Sequence, residues 1–140
     1  MKISTRSRYG LRLLAELARR GGVQTQVAEL AAAQDIPPAY AAKLVDPLRA
    51  AGLVRSARGL GGGISLSRRA ADIRVLEAVE ALEGDLSLVD CLTNGADRDC
   101  LVNCPTHRLW EDLENLIKGF LAEQSLQDLA VKESPVDYCI

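Results

Sequence analysis

The chain has 140 residues, enough for one domain of ordinary size with an appended element, and at 48% hydrophobic and 26% charged it has the composition of a soluble globular protein. No window approaches the roughly 18 uncharged apolar residues that cross a bilayer, and the opening MKISTRSRYG has no apolar export region, so a cytoplasmic protein without a membrane partner is expected. The net charge of −2 hides a division: residues 1–70 hold 12 Lys or Arg against 4 Asp or Glu, a half able to attract a polyanion, whereas residues 71–140 hold 5 against 15.

Ser4 and Thr5 offer capping hydroxyls to the run RSRYGLRLLAELARR, where Tyr9, Leu13, Leu14, Leu17 and Ala18 recur on one helical face. Gly21-Gly22 ends that helix. Thr25 is placed to cap a second helix, VAELAAAQ, with Val27, Leu30 and Ala31 inward. DIPP then breaks the chain and restarts it, Pro38 fitting the first turn of a third helix that stops at Gly52. Two short helices joined by a tight turn predict a helix-turn-helix, whose second helix enters a major groove.

The period then changes. LVRSA and ISLS are short and β-prone, and RGLGGG lies between them, from Arg58 to Gly63. It lacks the GK[ST] of a phosphate-binding loop. After a helix-turn-helix it reads as the wing of a winged-helix domain. The expected fold is therefore mostly α with a small β-hairpin wing, and double-stranded operator DNA is the expected partner. Ala39, Tyr40 and Lys43, at the start of the recognition helix, are candidate base contacts. A packed aromatic and a solvated lysine are the plain alternatives for Tyr40 and Lys43. Arg58 and Gly59 on the wing suit a minor groove, and Ser4, Thr5, Arg6 and Thr25 are candidate phosphate contacts.

In the second half, VLEAVEALEG is amphipathic through Val75, Leu76, Val79 and Leu82. Next comes CLTNGADRDCLVNCPTHRLW, which holds three of the four cysteines and the only histidine, spaced Cys91-x8-Cys100-x3-Cys104-x2-His107. Beyond it RLWEDLENLIKGFLAEQ carries Leu109, Trp110, Leu113, Leu116, Ile117, Phe120 and Leu121 in a helical stripe. Such a helix leaving a small domain needs a partner, and Leu109, Leu113, Leu116, Ile117 and Phe120 are the expected seam of a homodimer. The division expected is residues 1–70 for DNA binding, 71–131 for the ligand loop and dimerisation helices, and 132–140 for a flexible tail in which Cys139 is an incidental thiol.

For the ligand segment, a structural Cys3His zinc site, an iron–sulfur cluster and a disulfide or inert thiols all stay open on spacing alone. A zinc-stabilised DNA-binding protein and a small electron-transfer iron–sulfur protein are the corresponding alternative functions. No acid–base pair or nucleophile arrangement points to an enzyme.

The opening KISTRSRYGLRLL, the IPPAY turn, LRAAGLVRSARGLGGG and the three cysteines before a long helix together resemble the IscR/NsrR family of winged-helix, iron–sulfur-dependent transcription regulators, over residues 1 to about 131. The resemblance implies a dimer, a repressor bound at operator DNA, and a cluster that alters DNA binding. CPTH, from Cys104 to His107, is similar to the cysteine–histidine pair of the IscR branch and implies a 2Fe–2S cluster on Cys91, Cys100, Cys104 and His107. Some relatives complete the cluster with a carboxylate from the partner's first helix. Arg8 and Arg12 stand in that region here, and Glu16 is the nearest acid, which favours His107. Ala42 stands where that branch has a glutamate discriminating between operator classes, so operator preference does not transfer.

Overall fold

The computed structural model describes residues 2–93 and 103–131. Helix α1 spans Thr5–Arg19 and opens as the sequence predicts: the Ser4 hydroxyl accepts the Ser7 N–H at 3.2 Å. The Ser4 N–H is itself satisfied by Glu83 Oε1 at 2.8 Å. Leu13, Leu14 and Leu17 are buried to 1% exposure or less, on the stripe read from their spacing. The helix ends as Gly22 and Gly21, both with positive φ, donate to the carbonyls of Leu17 and Ala18.

Helix α2 (Val27–Ala33) and helix α3 (Pro38–Ala50) form the helix-turn-helix. The expectation that Thr25 caps α2 is overturned. Gln26 holds the cap position, and Thr25 exchanges both backbone hydrogen bonds with Ile64, at 2.9 Å each. A residue paired to a strand on both sides is extended, and its hydroxyl instead donates to the Val23 carbonyl at 2.9 Å. Pro38 takes the first turn of α3, which runs through Pro47 although that residue has no N–H for the Lys43 carbonyl.

Strands β1 (Val54–Ala57) and β2 (Gly63–Leu66) pair antiparallel, with Val54 opposite Leu66 and Ala57 opposite Gly63. Thr25 therefore adds a third, one-residue rung beside Ile64, stitching the wing to the link between α1 and α2. The stitch is close. A Cβ on Gly63, whose φ is +146°, would lie 2.2 Å from the Thr25 carbonyl oxygen.

Helix α4 (Val75–Glu83) crosses α1 so tightly that a Cβ on Gly10 would meet Leu82 at 2.4 Å. Helix α5 (His107–Glu123) packs principally on α4, and a short helix α6 (Leu126–Val131) folds back against α1. One buried cluster includes Leu14, Leu44, Leu48, Ile64, Ile73, Leu82 and Leu126. The boundary expected at residue 70 thus does not separate two cores: α4 and α6 complete the core of the winged domain, and α5 stands apart from it.

Replacing Gly63 by Ala should lower unfolding stability by roughly 2 kcal/mol or more, since backbone must shift and the φ is unfavourable for any other residue. Gly61→Ala, at φ +78° with open space around it, should cost about 1 kcal/mol. Urea midpoints check both, and equal midpoints for G63A and the parent chain would refute the close approach.

Candidate nucleic-acid interface and ligand loop

The pose of the helix-turn-helix is fixed by a polar network under α1. Glu16 is only 2% exposed. Its carboxylate accepts Arg19 Nη2 and Arg20 Nε from the last turn of α1, at 2.8 and 2.9 Å, and Gln34 Nε2 from the end of α2, at 3.2 Å. These donors, Arg19 foremost, hold the Glu16 carboxyl down at about 2 from its ordinary 4.5 against the opposing effect of burial. Gln34 is gripped from its other side by Arg12, whose guanidinium donates to the Gln34 backbone carbonyl and, at 3.3 Å, to Oε1. Arg12 also lies 5.2 Å from the Tyr9 ring centroid, and Tyr9 meets Tyr40 of α3 edge-on at 5.9 Å. Tyr40 is thus half-buried against Tyr9, the packed-aromatic alternative, with its neighbours Ala39 and Lys43 exposed.

Glu16 was also the nearest acid for completing a metal site across a dimer. That role is excluded for the carboxylate as placed: it is buried within its own chain and saturated by three donors. No feature of the sequence alone marks it as a structural hub, because its partners lie on two different helices.

Of the candidate phosphate contacts, Ser4 is committed to capping α1, whereas Thr5 and Arg6 are exposed at its start. Thr25 is 8% exposed, and its hydroxyl donates to the Val23 carbonyl beside the wing. Arg58 and Gly59 are exposed at the wing turn, Gly59 with φ +92°. Arg19, Arg20, Arg49, Arg68 and Arg69 are paired with acids. Arg8, Lys43, Arg55 and Arg58 form no salt bridge with a described residue, so their charge faces solvent on α1, α3 and the wing.

In the ligand segment, Cys91 lies in a single 3-10 turn, Asp90–Leu92, and is half-buried. Cys104 is half-buried just before α5, its Sγ 3.4 Å from the Thr106 hydroxyl. His107 opens α5, and its backbone N–H donates to the Cys104 carbonyl at 3.3 Å. Its Nδ1 is buried without a hydrogen-bond partner among the described residues. Cys100 and Cys139 lie outside the described residues. Among the described residues no three His, Cys, Asp or Glu side chains converge on a common point.

Helix α5 has only one buried residue among those described, and it is Glu114, which accepts the Leu88 N–H at 3.2 Å and Lys118 Nζ at 2.6 Å. Leu109, Leu116 and Phe120 are 58, 72 and 61% exposed, and Leu113 is 36% exposed. Ile117, on the same helix, is less exposed than these. It is half-buried and lines a cavity of about 270 Å³ with Val79, Leu86, Leu88 and Leu121 between α4 and α5.

A helix-turn-helix followed by a basic hairpin, on one core, defines a winged-helix DNA-binding protein. Comparison with known proteins narrows the class. The Rrf2 model, described as iron-dependent transcriptional regulator, matches residues 3–132, and the chain belongs to that family. It is 38% identical to the transcriptional regulator IscR of Cereibacter sphaeroides, over 95% of this chain and 89% of that protein. The solved structure of CymR, the global cysteine regulator of B. subtilis, superposes with a TM-score of 0.74 at 34% identity, covering 93% of this chain and 96% of that one. T. potens IscR superposes with a TM-score of 0.70 at 28% identity, covering 92% and 85%. The protein is a DNA-binding transcription regulator and not an enzyme. No helix among the described residues is long and apolar enough to cross a membrane.

Because the folded pKa of Glu16 lies below its unfolded value, its contribution to stability is fully present above about pH 4.5 and is lost as pH falls toward 2. Glu16→Gln should therefore be less stable than the parent at pH 7, by on the order of 2 kcal/mol. In urea titrations the gap should be nearly unchanged at pH 5 and should narrow at pH 3.5 and further at pH 2.5. A gap independent of pH would show that the carboxylate charge is not what Arg19 and Arg20 hold.

Proposed function

We propose that this regulator binds operator DNA as a homodimer, acts as a repressor in the cytoplasm, and carries an iron–sulfur cluster, of the 2Fe–2S type, on Cys91, Cys100, Cys104 and His107. The observation that carries the cluster reading is His107 Nδ1: a ring nitrogen buried without a hydrogen-bond partner among the described residues, three positions after a half-buried thiol. A buried nitrogen in that state is costly unless something binds it. The donor set of soft thiols and one imidazole suits iron–sulfur chemistry. The match to a family described as iron-dependent and the likeness to IscR support the same reading. When bound, such a cluster supplies a redox-active centre held by thiolate and imidazole. The chain's own part is to hold His107 in the first turn of α5, to keep Cys91 and Cys104 half out of water, and to join the ligand loop directly to the dimer helix.

The dimer reading is supported by the face of α5. Leu109, Leu113, Leu116 and Phe120 are exposed on a helix that buries almost nothing of its own, and each contributes about 1.5–3 kcal/mol when fully buried. The DNA contacts proposed are Ala39, Tyr40 and Lys43 on α3, Arg58 and Gly59 on the wing, and Thr5 and Arg6 at the start of α1.

Anaerobically purified protein should carry iron and sulfide in equal amounts and absorb in the visible. Serine at Cys91, Cys100 or Cys104 should abolish that absorption, and His107→Cys should retain it with a changed spectrum and a lower reduction potential. Stoichiometric zinc with no visible absorption would replace the cluster by the zinc alternative. Leu116→Glu should convert the dimer to monomer or aggregate in sedimentation, and an unchanged dimer would refute the α5 seam.

A further inference from the structure

The wing ends in a fully exposed leucine: Leu60 is 109% exposed. Single exposed leucines are common on protein surfaces, so exposure by itself decides little. The construction beneath it decides more. Gly62 N–H donates to the Gly59 carbonyl at 2.9 Å, and Gly61 has φ +78°, the pattern of a type II turn with Leu60 in its second position. The side-chain amide of Gln24 donates to the Gly61 carbonyl, tying the tip to the segment between α1 and α2. A Cβ on Gly62 would lie 2.8 Å from the carbonyl oxygens of both Ala57 and Gly59, so the turn closes more tightly than a larger residue permits. The result is a narrow, tethered tip bearing a single side chain at its apex, with Arg58, which forms no salt bridge among the described residues, two positions before it.

We propose that Leu60 is an apolar minor-groove contact. The wing tip enters the groove and packs Leu60 against deoxyribose walls and base edges, while Arg58 supplies the charge that draws it there. A B-form minor groove is about 6 Å wide, so it accepts a glycine-built tip and excludes a hairpin with bulky flanks. Its sugar walls present C–H groups, which an aliphatic side chain desolvates favourably, and apolar side chains that enter it act at easily deformed base steps. The proposal rests on the DNA-binding reading above and adds to it a contact without charge.

The full-length protein is used with a duplex selected from a random pool by the parent chain, and affinity is followed by fluorescence anisotropy at several salt concentrations. Leu60→Ala should weaken binding roughly 3- to 30-fold with no change in salt slope, because no phosphate contact is lost. Arg58→Ala should weaken binding and lower the slope by about one. Hydroxyl-radical cleavage should rise for L60A at the wing-facing minor groove alone. Since the Leu60 side chain is fully exposed, circular dichroism should show both variants folded. If L60A binds and protects as the parent does, the proposal is wrong and the DNA-binding reading stands. If the parent binds no duplex, both fall.

Discussion

The burial of Leu13, Leu14 and Leu17 on one face of α1 is the constraint on which the architecture rests. Helices α2, α3, α4 and α6 and strand β2 all pack against α1. Each leucine side chain withdrawn from water contributes about 1.5–3 kcal/mol, and the close approach at Gly10 lets α4 share that face without a gap. Helix α5 packs principally on α4 and leaves Leu109, Leu116 and Phe120 exposed.

Placement of α5 outside the core also determines how it connects to the rest. Its first turn carries His107 and follows Cys104 directly. At its far end Gln124 accepts the Val75 N–H at 2.9 Å, Ser125 bridges Arg74, and Leu126 donates to Ile73 at 3.0 Å before α6 returns to α1. The helix that begins at the ligand loop is therefore hydrogen-bonded at its other end to the start of α4 and the core of the winged domain. A displacement at one end has a rigid element and a defined set of bonds to act through.

Electrostatics sorts the basic residues of the first half into two groups. Arg19, Arg20, Arg68 and Arg69 serve the fold, neutralising Glu16, Glu77 and Asp72. Arg8, Lys43, Arg55 and Arg58 lack such partners among the described residues and carry the field that a polyanion meets. The same residue type thus does two jobs, and only the position of nearby carboxylates distinguishes them.

From the sequence alone came the periodic and punctuated features. The leucine stripe of α1, the Pro38 restart of the recognition helix, the glycine-rich wing and the outward stripe of α5 are written in local spacing, because helix and strand periods and the φ demands of Gly and Pro act over a few residues. The spacing of Cys91, Cys100, Cys104 and His107 along the chain is legible for the same reason. The tertiary structure decided what depends on residues far apart in the chain. Thr25 reads as a helix cap until Ile64, 39 positions away, claims its backbone on both sides. Glu16 reads only as the nearest acid on the first helix until Arg19, Arg20 and Gln34 claim its carboxylate. That Ile117 lines a cavity with Val79 and Leu86, and that α4 and α6 share one core with the first half of the chain, is likewise written only in the tertiary structure. Local preference proposes each of these elements, but long-range hydrogen bonds and packing choose their partners, and no spacing rule records that choice.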